Sequence, residues 1–195
     1  MESADAVGIL LHGRGATADG MVRLFEEFAP EGFGYLAPRA LNNTWYPNPF
    51  TAPVEVKENW LSSALGVADS AVGTARDAVP VERVALVGFS QGACLASEYV
   101  ARNPRRYGGL VSFSGGLIGE TVEADSYEGD TEGTPVFLGC SDSDPHIPVE
   151  RVQATAEVFE KLGADVTERI YEGMGHTVND DEKKHASEIL EVLVE

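Results

Sequence analysis

The chain has 195 residues, 43% of them hydrophobic and 8% aromatic, which suits one α/β-sized core over residues 1–195 and leaves little room for a second domain. Its 32 acidic residues against 14 basic ones give a formal charge of -18, a balance that repels a phosphate backbone and argues against nucleic-acid partners. No run approaches the roughly 18 apolar residues that a membrane span needs, and Met1 to Ala6 carries two acids where a signal peptide has a basic segment, so a cytoplasmic location is expected.

The apolar pattern alternates short continuous runs with longer helical periods. Ala6 to Leu11 reads as a strand buried on both faces, stopping at His12-Gly13-Arg14-Gly15. Met21, Leu24, Phe25 and Phe28 recur at helical spacing behind the caps Thr17 or Asp19, and Pro30 closes that helix. A short strand, Gly34 to Ala37, leads into a proline-rich loop, Asn42 to Pro53, that carries Trp45, Tyr46 and Phe50. Trp60, Ala64, Leu65, Ala68, Ala71, Val72, Ala75 and Val79 mark a long helix ending before Pro80. Val84 to Val87 is a strand that enters Gly88-Phe89-Ser90-Gln91-Gly92, and a helix with the small residues Gly92, Ala93 and Ala96 follows and ends before Pro104. Gly109 to Phe113 and Pro135 to Leu138 read as two more strands, joined by an acid-rich surface excursion from Glu120 to Glu132. Pro148 opens a helix that Gly163 stops, Val166 to Tyr171 is the last strand, and Asn179 with Glu182 forms a capping box for the final helix. About six strands alternating with helices predict a mostly parallel, doubly wound sheet with helices on both faces.

The segment Gly88 to Gly92 has the form G-x-S-x-G between a buried strand and a helix, the context in which a sharp turn exposes a nucleophilic serine. Either glycine, given a side chain, would collide with a neighbouring element. A serine hydroxyl needs a base and an acid to orient it. Among four histidines, His185 falls within a charged helix, His12 belongs to the turn after the first strand, and His146 stands two residues from Asp144. His176, in the glycine-rich loop after the last strand, is the preferred base. Asp144 and Asp142 both qualify as its acid, and Asp144 is preferred because Pro145 fixes the chain beyond it. A metal site at Asp142, Asp144 and His146 is not expected, since Ile147 and Gln153 stand where a calcium loop has Gly and Glu. The order Ser90, Asp144, His176 is that of the α/β-hydrolase fold. Backbone amides of Arg14 and Gln91 are the candidate donors to a developing oxyanion. The Arg14 side chain either pairs with surface acids or reads an anionic substrate group. Trp45, Tyr46 and Phe50 either wall an acyl pocket or pack their own loop.

The motifs Leu11-His12-Gly13-Arg14-Gly15, Gly88-Phe89-Ser90-Gln91-Gly92-Ala93, Asp144-Pro145-His146-Ile147-Pro148 and Tyr171-Glu172-Gly173-Met174-Gly175-His176 together resemble the phospholipase/carboxylesterase family of α/β-hydrolases, which includes acyl-protein thioesterases. The resemblance covers nearly the whole chain. It implies a minimal α/β-hydrolase sheet, the Ser90, Asp144, His176 triad and hydrolysis of small or medium carboxylic esters without a cofactor. Thioesterase or lysophospholipase action on the same residues is the near alternative, and a non-catalytic binding protein on the same scaffold the distant one. The thioesterase branch usually has an apolar residue where Arg14 stands, which weakens a claim to long lipid chains. The expected partner is a small-molecule ester, with the chain a monomer or a homodimer.

Two further compositional features bear on setting. Cys94 and Cys140 lack metal-binding or CxxC spacing and are expected to be buried and reduced. Acid excess with only four lysines fits either an ordinary acidic surface or adaptation to a salt-rich cytoplasm, where ions screen the self-repulsion.

Overall fold

A computed structural model describes residues 4–195, so the Met1 to Ser3 part of the leader reading lies outside the described residues. Among those residues six strands form one all-parallel sheet: β1 (Ala6–Leu11), β2 (Phe33–Leu36), β3 (Val84–Phe89), β4 (Gly109–Phe113), β5 (Pro135–Ser141) and β6 (Asp165–Tyr171), in the spatial order β2-β1-β3-β4-β5-β6. The chain runs outward from β1 to β2 and then returns to place β3 on the other side of β1. Those two central strands therefore make the switch point, where open parallel sheets bind ligands beyond their carboxyl ends. Both strands are buried because helices cover both faces.

Period-two alternation divides their side chains between two layers. Val7, Ile9 and Leu11 of β1 and Val84 and Leu86 of β3 join the larger core under α2 (Glu58–Arg76), α3 (Gln91–Arg102) and α4 (Val149–Lys161). Leu10, Ala85 and Val87 point the other way, to Met21 and Phe25 of α1 (Ala18–Glu26) and Ala186 and Leu190 of α5 (Asp180–Glu191). Leu10 and Leu86 are 0% exposed, and each such side chain contributes roughly 1.5–3 kcal/mol relative to an exposed one. The result is an α/β-hydrolase fold. Its central helix is α3, buried along all but its last residue, Arg102, so the turn that starts it rests on a rigid base.

Several element ends differ from expectation. β5 runs on to Ser141, through Gly139 and Cys140, because pairing with β6 continues to Ser141↔Tyr171. α2 stops at Arg76, and Val79 is buried in the following turn. Trp60, at the start of α2, is 51% exposed and forms no part of the core. Cys94 and Cys140 are buried free thiols.

The capping box of α5 is formed in full. The Asn179 side chain accepts from the Glu182 amide at 2.8 Å, and Glu182 Oε2 accepts from the Asn179 amide at 2.9 Å. Glu182 is nevertheless fully buried, with Oε1 unpartnered beside Gly139. Burial, outweighing the Asn179 hydrogen bond, pushes its carboxyl up to about 7. A raised acid pKa means that the folded state holds the proton more tightly, so this stability is present at low pH and is lost as pH rises through 7. Glu182→Gln should therefore gain stability relative to the wild type between pH 4 and pH 8, on the order of 2–3 kcal/mol. Urea unfolding at both pH values checks this, and a gap independent of pH would contradict it.

Candidate active site

Ser90 occupies the turn between β3 and α3 with φ 56° and ψ -119°, a conformation that L side chains rarely adopt. Its amide donates to Phe113 O at 2.9 Å, and its carbonyl accepts from the Cys94 amide at 2.9 Å, so β4 and the first turn of α3 hold the strain in place. Close approach on both sides explains the flanking glycines. A Cβ at Gly88 would lie 2.5 Å from the backbone of Gly92 and Ala93, and one at Gly92 would lie 1.9 Å from Leu11 O.

His176 stands on the loop after β6. Its Nδ1 is 2.7 Å from Asp144 Oδ2. A carboxylate only accepts, so Nδ1 carries the hydrogen and the neutral ring leaves Nε2 as a base. The other oxygen, Asp144 Oδ1, accepts from the amides of His146 at 2.8 Å and Ile147 at 3.1 Å. Burial alone would raise the Asp144 pKa, but the bonds from His176, His146 and Ile147 outweigh it and hold the carboxyl below its usual range. The Cys140 thiol lies 3.8 Å from Asp144 Oδ2. Asp142, the competing acid, turns elsewhere: its Oδ1 accepts from the Gly173 amide at 2.8 Å, while Ser141 Oγ accepts from the Gly175 amide at 3.0 Å. Both bonds brace the loop that presents His176.

Ser90 and His176 share one cleft of about 510 Å³ at the carboxyl edge of the sheet, lined also by Arg14, Tyr46, Phe50 and Gln91. The Phe89 ring packs against His176 with centroids 4.9 Å apart. The Arg14 and Gln91 amides find no acceptor among the described residues, whereas Gly15 and Ala16 donate to Asn43 O and Gly13 O. The Gln91 amide also lies at the positive end of α3.

Two expectations need correction. Trp45 is buried and outside the cleft lining; its indole N–H donates to His12 O at 2.8 Å and its amide to Gln91 Oε1 at 2.9 Å. An indole donor must be satisfied when buried, and the turn after β1 supplies the acceptor. The Arg14 side chain neither pairs with an acid nor points a free guanidinium at substrate. It donates to the carbonyls of Tyr46, Pro47 and Asn48 at 2.9, 2.7 and 2.7 Å. His12 is buried, its Nε2 accepting from the Ala40 amide at 3.2 Å.

The cleft also holds residues that sequence reasoning passed over. His146 lies edge-on to His176, centroids 4.8 Å apart, and Ile147 and Cys94 line the wall. Cys94 follows Ser90 by one helical turn, a spacing that was open to view. Two residues from Asp144, His146 reads from sequence as too close to be its partner, yet the same tight loop that aims the carboxylate carries it to the cleft.

Fold and site together define an α/β-hydrolase with a serine, a histidine and a buried carboxylate at the carboxyl edge of its sheet. A family model described as phospholipase/carboxylesterase matches residues 1–194, and the chain belongs to that family. It is 39% identical to a phospholipase/carboxylesterase from Dyadobacter fermentans, whose crystal structure superposes with a TM-score of 0.92, covering 97% of this chain and 91% of that one. It is 32% identical over 117 residues to acyl-protein thioesterase 1 of Kluyveromyces lactis, 58% of this chain and 51% of that protein. The chain thus matches about half the length of that curated relative. The Bacillus cereus carboxylesterase, 17% identical with a TM-score of 0.78 and coverage of 99% and 90%, shares the fold.

Proposed function

We propose that this chain is a serine carboxylic ester hydrolase acting on small or medium acyl and aryl esters through an acyl-enzyme. The observation that carries the reading is the Asp144–His176 pair opening on the same cleft as the strained Ser90. His176 Nε2 takes the Ser90 hydroxyl proton as Oγ attacks the ester carbonyl. The amides of Arg14 and Gln91 stabilise the negative charge that gathers on the carbonyl oxygen. His176 then protonates the departing alkoxide, leaving Ser90 acylated. Water, deprotonated by His176, attacks the acyl-enzyme and releases the acid. No step calls for a cofactor. Thioesters would react through the same groups, and the name of the Kluyveromyces lactis relative supports assaying them. The whole chain acts as one α/β-hydrolase domain, as a monomer or a homodimer, on free small-molecule esters in the cytoplasm.

The contrast between two neighbouring acids tests these roles. Asp144→Asn removes the acceptor that fixes the His176 tautomer, and kcat for p-nitrophenyl butyrate should fall by about 10³ to 10⁴. Asp142→Asn loosens only a loop contact and should cost less than about tenfold. Equal losses in the two variants would refute the assignment of Asp144.

The charge of -18 supports adaptation to a salt-rich cytoplasm, with ions screening crowded carboxylates. Melting temperature should rise from low to molar KCl, and equal melting in both would end that reading.

A further inference from the structure

We propose that Arg14 and Lys57 are positioning residues for substrate selectivity, holding residues 46–52 as a closed wall that keeps long acyl chains out of the cleft. The proposal rests on the ester-hydrolase reading and deepens it by naming what limits the acyl group. Tyr46, Pro47, Pro49, Phe50 and Thr51 of this strap line the cleft facing Ser90 and His176. The strap belongs to no helix or strand, so its shape depends on where its carbonyls are bonded.

Two cations bond them. Arg14 takes the carbonyls of Tyr46, Pro47 and Asn48. Lys57 takes those of Pro49, Phe50 and Ala52 at 2.8, 2.6 and 2.7 Å, which uses all three of its donors. Six carbonyls in seven residues thus accept from two side chains that approach from opposite ends of the strap in sequence. Lys57 is 1% exposed and its ammonium sits 5.8 Å from the Tyr46 ring centroid. Its use is distinctive within this chain. The other three lysines, Lys161, Lys183 and Lys184, all pair with carboxylates, whereas Lys57 and Arg14 form no salt bridge among the described residues despite 32 acids in the sequence. A further prop stands behind the wall. The Gly119 amide donates to Phe50 O at 2.9 Å, and the Arg151 guanidinium lies 5.3 Å from the Phe50 ring centroid.

Freed carbonyls turn to water and let the wall move outward, so the effect belongs to substrate fit more than to bond-making at Ser90. The test compares p-nitrophenyl butyrate and octanoate with the wild type, Lys57→Met, Arg14→Leu and Arg14→Lys. Lys57→Met and Arg14→Leu should each raise the octanoate-to-butyrate ratio of kcat/KM by about tenfold, chiefly through a lower octanoate KM, and Lys57→Met, whose side chain lies outside the cleft lining, should keep kcat on butyrate within about threefold of wild type. Arg14→Lys, which keeps three donors, should return most of the way to the wild-type ratio. Folded variants with the wild-type ratio, or an Arg14→Lys variant no better than Arg14→Leu, would overturn the proposal. If Lys57→Met does not fold, Arg14→Leu decides, because Arg14 is at the exposed rim. A wild type inactive on both esters would sink the ester-hydrolase reading instead. The hold on the strap is then read by amide hydrogen exchange over residues 46–52, which should quicken in Arg14→Leu, and unchanged exchange would overturn the hold itself.

Discussion

Replacing Ser90 by alanine is expected to lower kcat for p-nitrophenyl butyrate by at least about 10⁴ while leaving the thermal transition in place. The size follows from the site. Without Oγ no acyl-enzyme forms, and what survives is the contribution of the oxyanion amides and of binding in the cleft. Retention of the fold follows from how Ser90 is held. Its turn is fixed by backbone bonds to Phe113 O and from the Cys94 amide, neither of which uses the hydroxyl. Among the described residues the Ser90 hydroxyl has no hydrogen-bond partner that alanine would lose. Alanine at a positive φ is as strained as serine there, so melting should shift little. Activity persisting in Ser90→Ala would move the nucleophile elsewhere.

The largest effect on folding is expected at Gly92. Alanine there puts a carbon 1.9 Å from Leu11 O, 2.4 Å from Leu11 C and 2.6 Å from His12 O. These are backbone atoms of the central strand and of the turn that carries the Arg14 amide, so no rotamer change relieves the clash. Either α3 lifts from the sheet or β1 is displaced, and both layers of core meet at that strand. The expected loss exceeds about 4 kcal/mol, enough to remove a cooperative transition from a domain of ordinary stability. Gly66→Ala is the control. A Cβ at Gly66 within α2 meets nothing within 4 Å, and alanine there should stabilise by up to about 1 kcal/mol. A Gly92→Ala protein that melts with the wild type would show that the turn is far looser than its geometry.

Much of this architecture could be read from the residues because the physics behind it is local. Ala6 to Leu11 and Val84 to Val87 are continuous apolar runs, which only a sheet covered on both faces can hide, and the G-x-S-x-G turn advertises its own close packing. The Asn179 and Glu182 capping box is equally local, and both of its bonds are present. The rest depended on partners distant in sequence. The end of β5 is not legible in the sequence because Gly139 and Ser141 are not apolar: Gly139 is held by pairing with both β4 and β6, and Ser141 by pairing with β6. Asp142 and Asp144 are chemically alike and two residues apart. Which one meets His176 depends on the amides of His146 and Ile147, which no side-chain pattern reveals. An aromatic in a proline-rich loop fits a pocket wall as well as loop packing, and what keeps Trp45 out of the cleft is the need of its buried N–H for a carbonyl, which His12 O provides. Arg14 and Lys57 were obscure for the same reason. Their partners are main-chain carbonyls, and a sequence shows only side chains.

The most direct test of the central claim is covalent labelling of the wild type with a fluorophosphonate, followed by intact mass and peptide mapping. One adduct on the peptide containing Ser90, absent from Ser90→Ala and slowed in Asp144→Asn, is the predicted result. An adduct on another residue, or equal labelling of Ser90→Ala, would contradict the account.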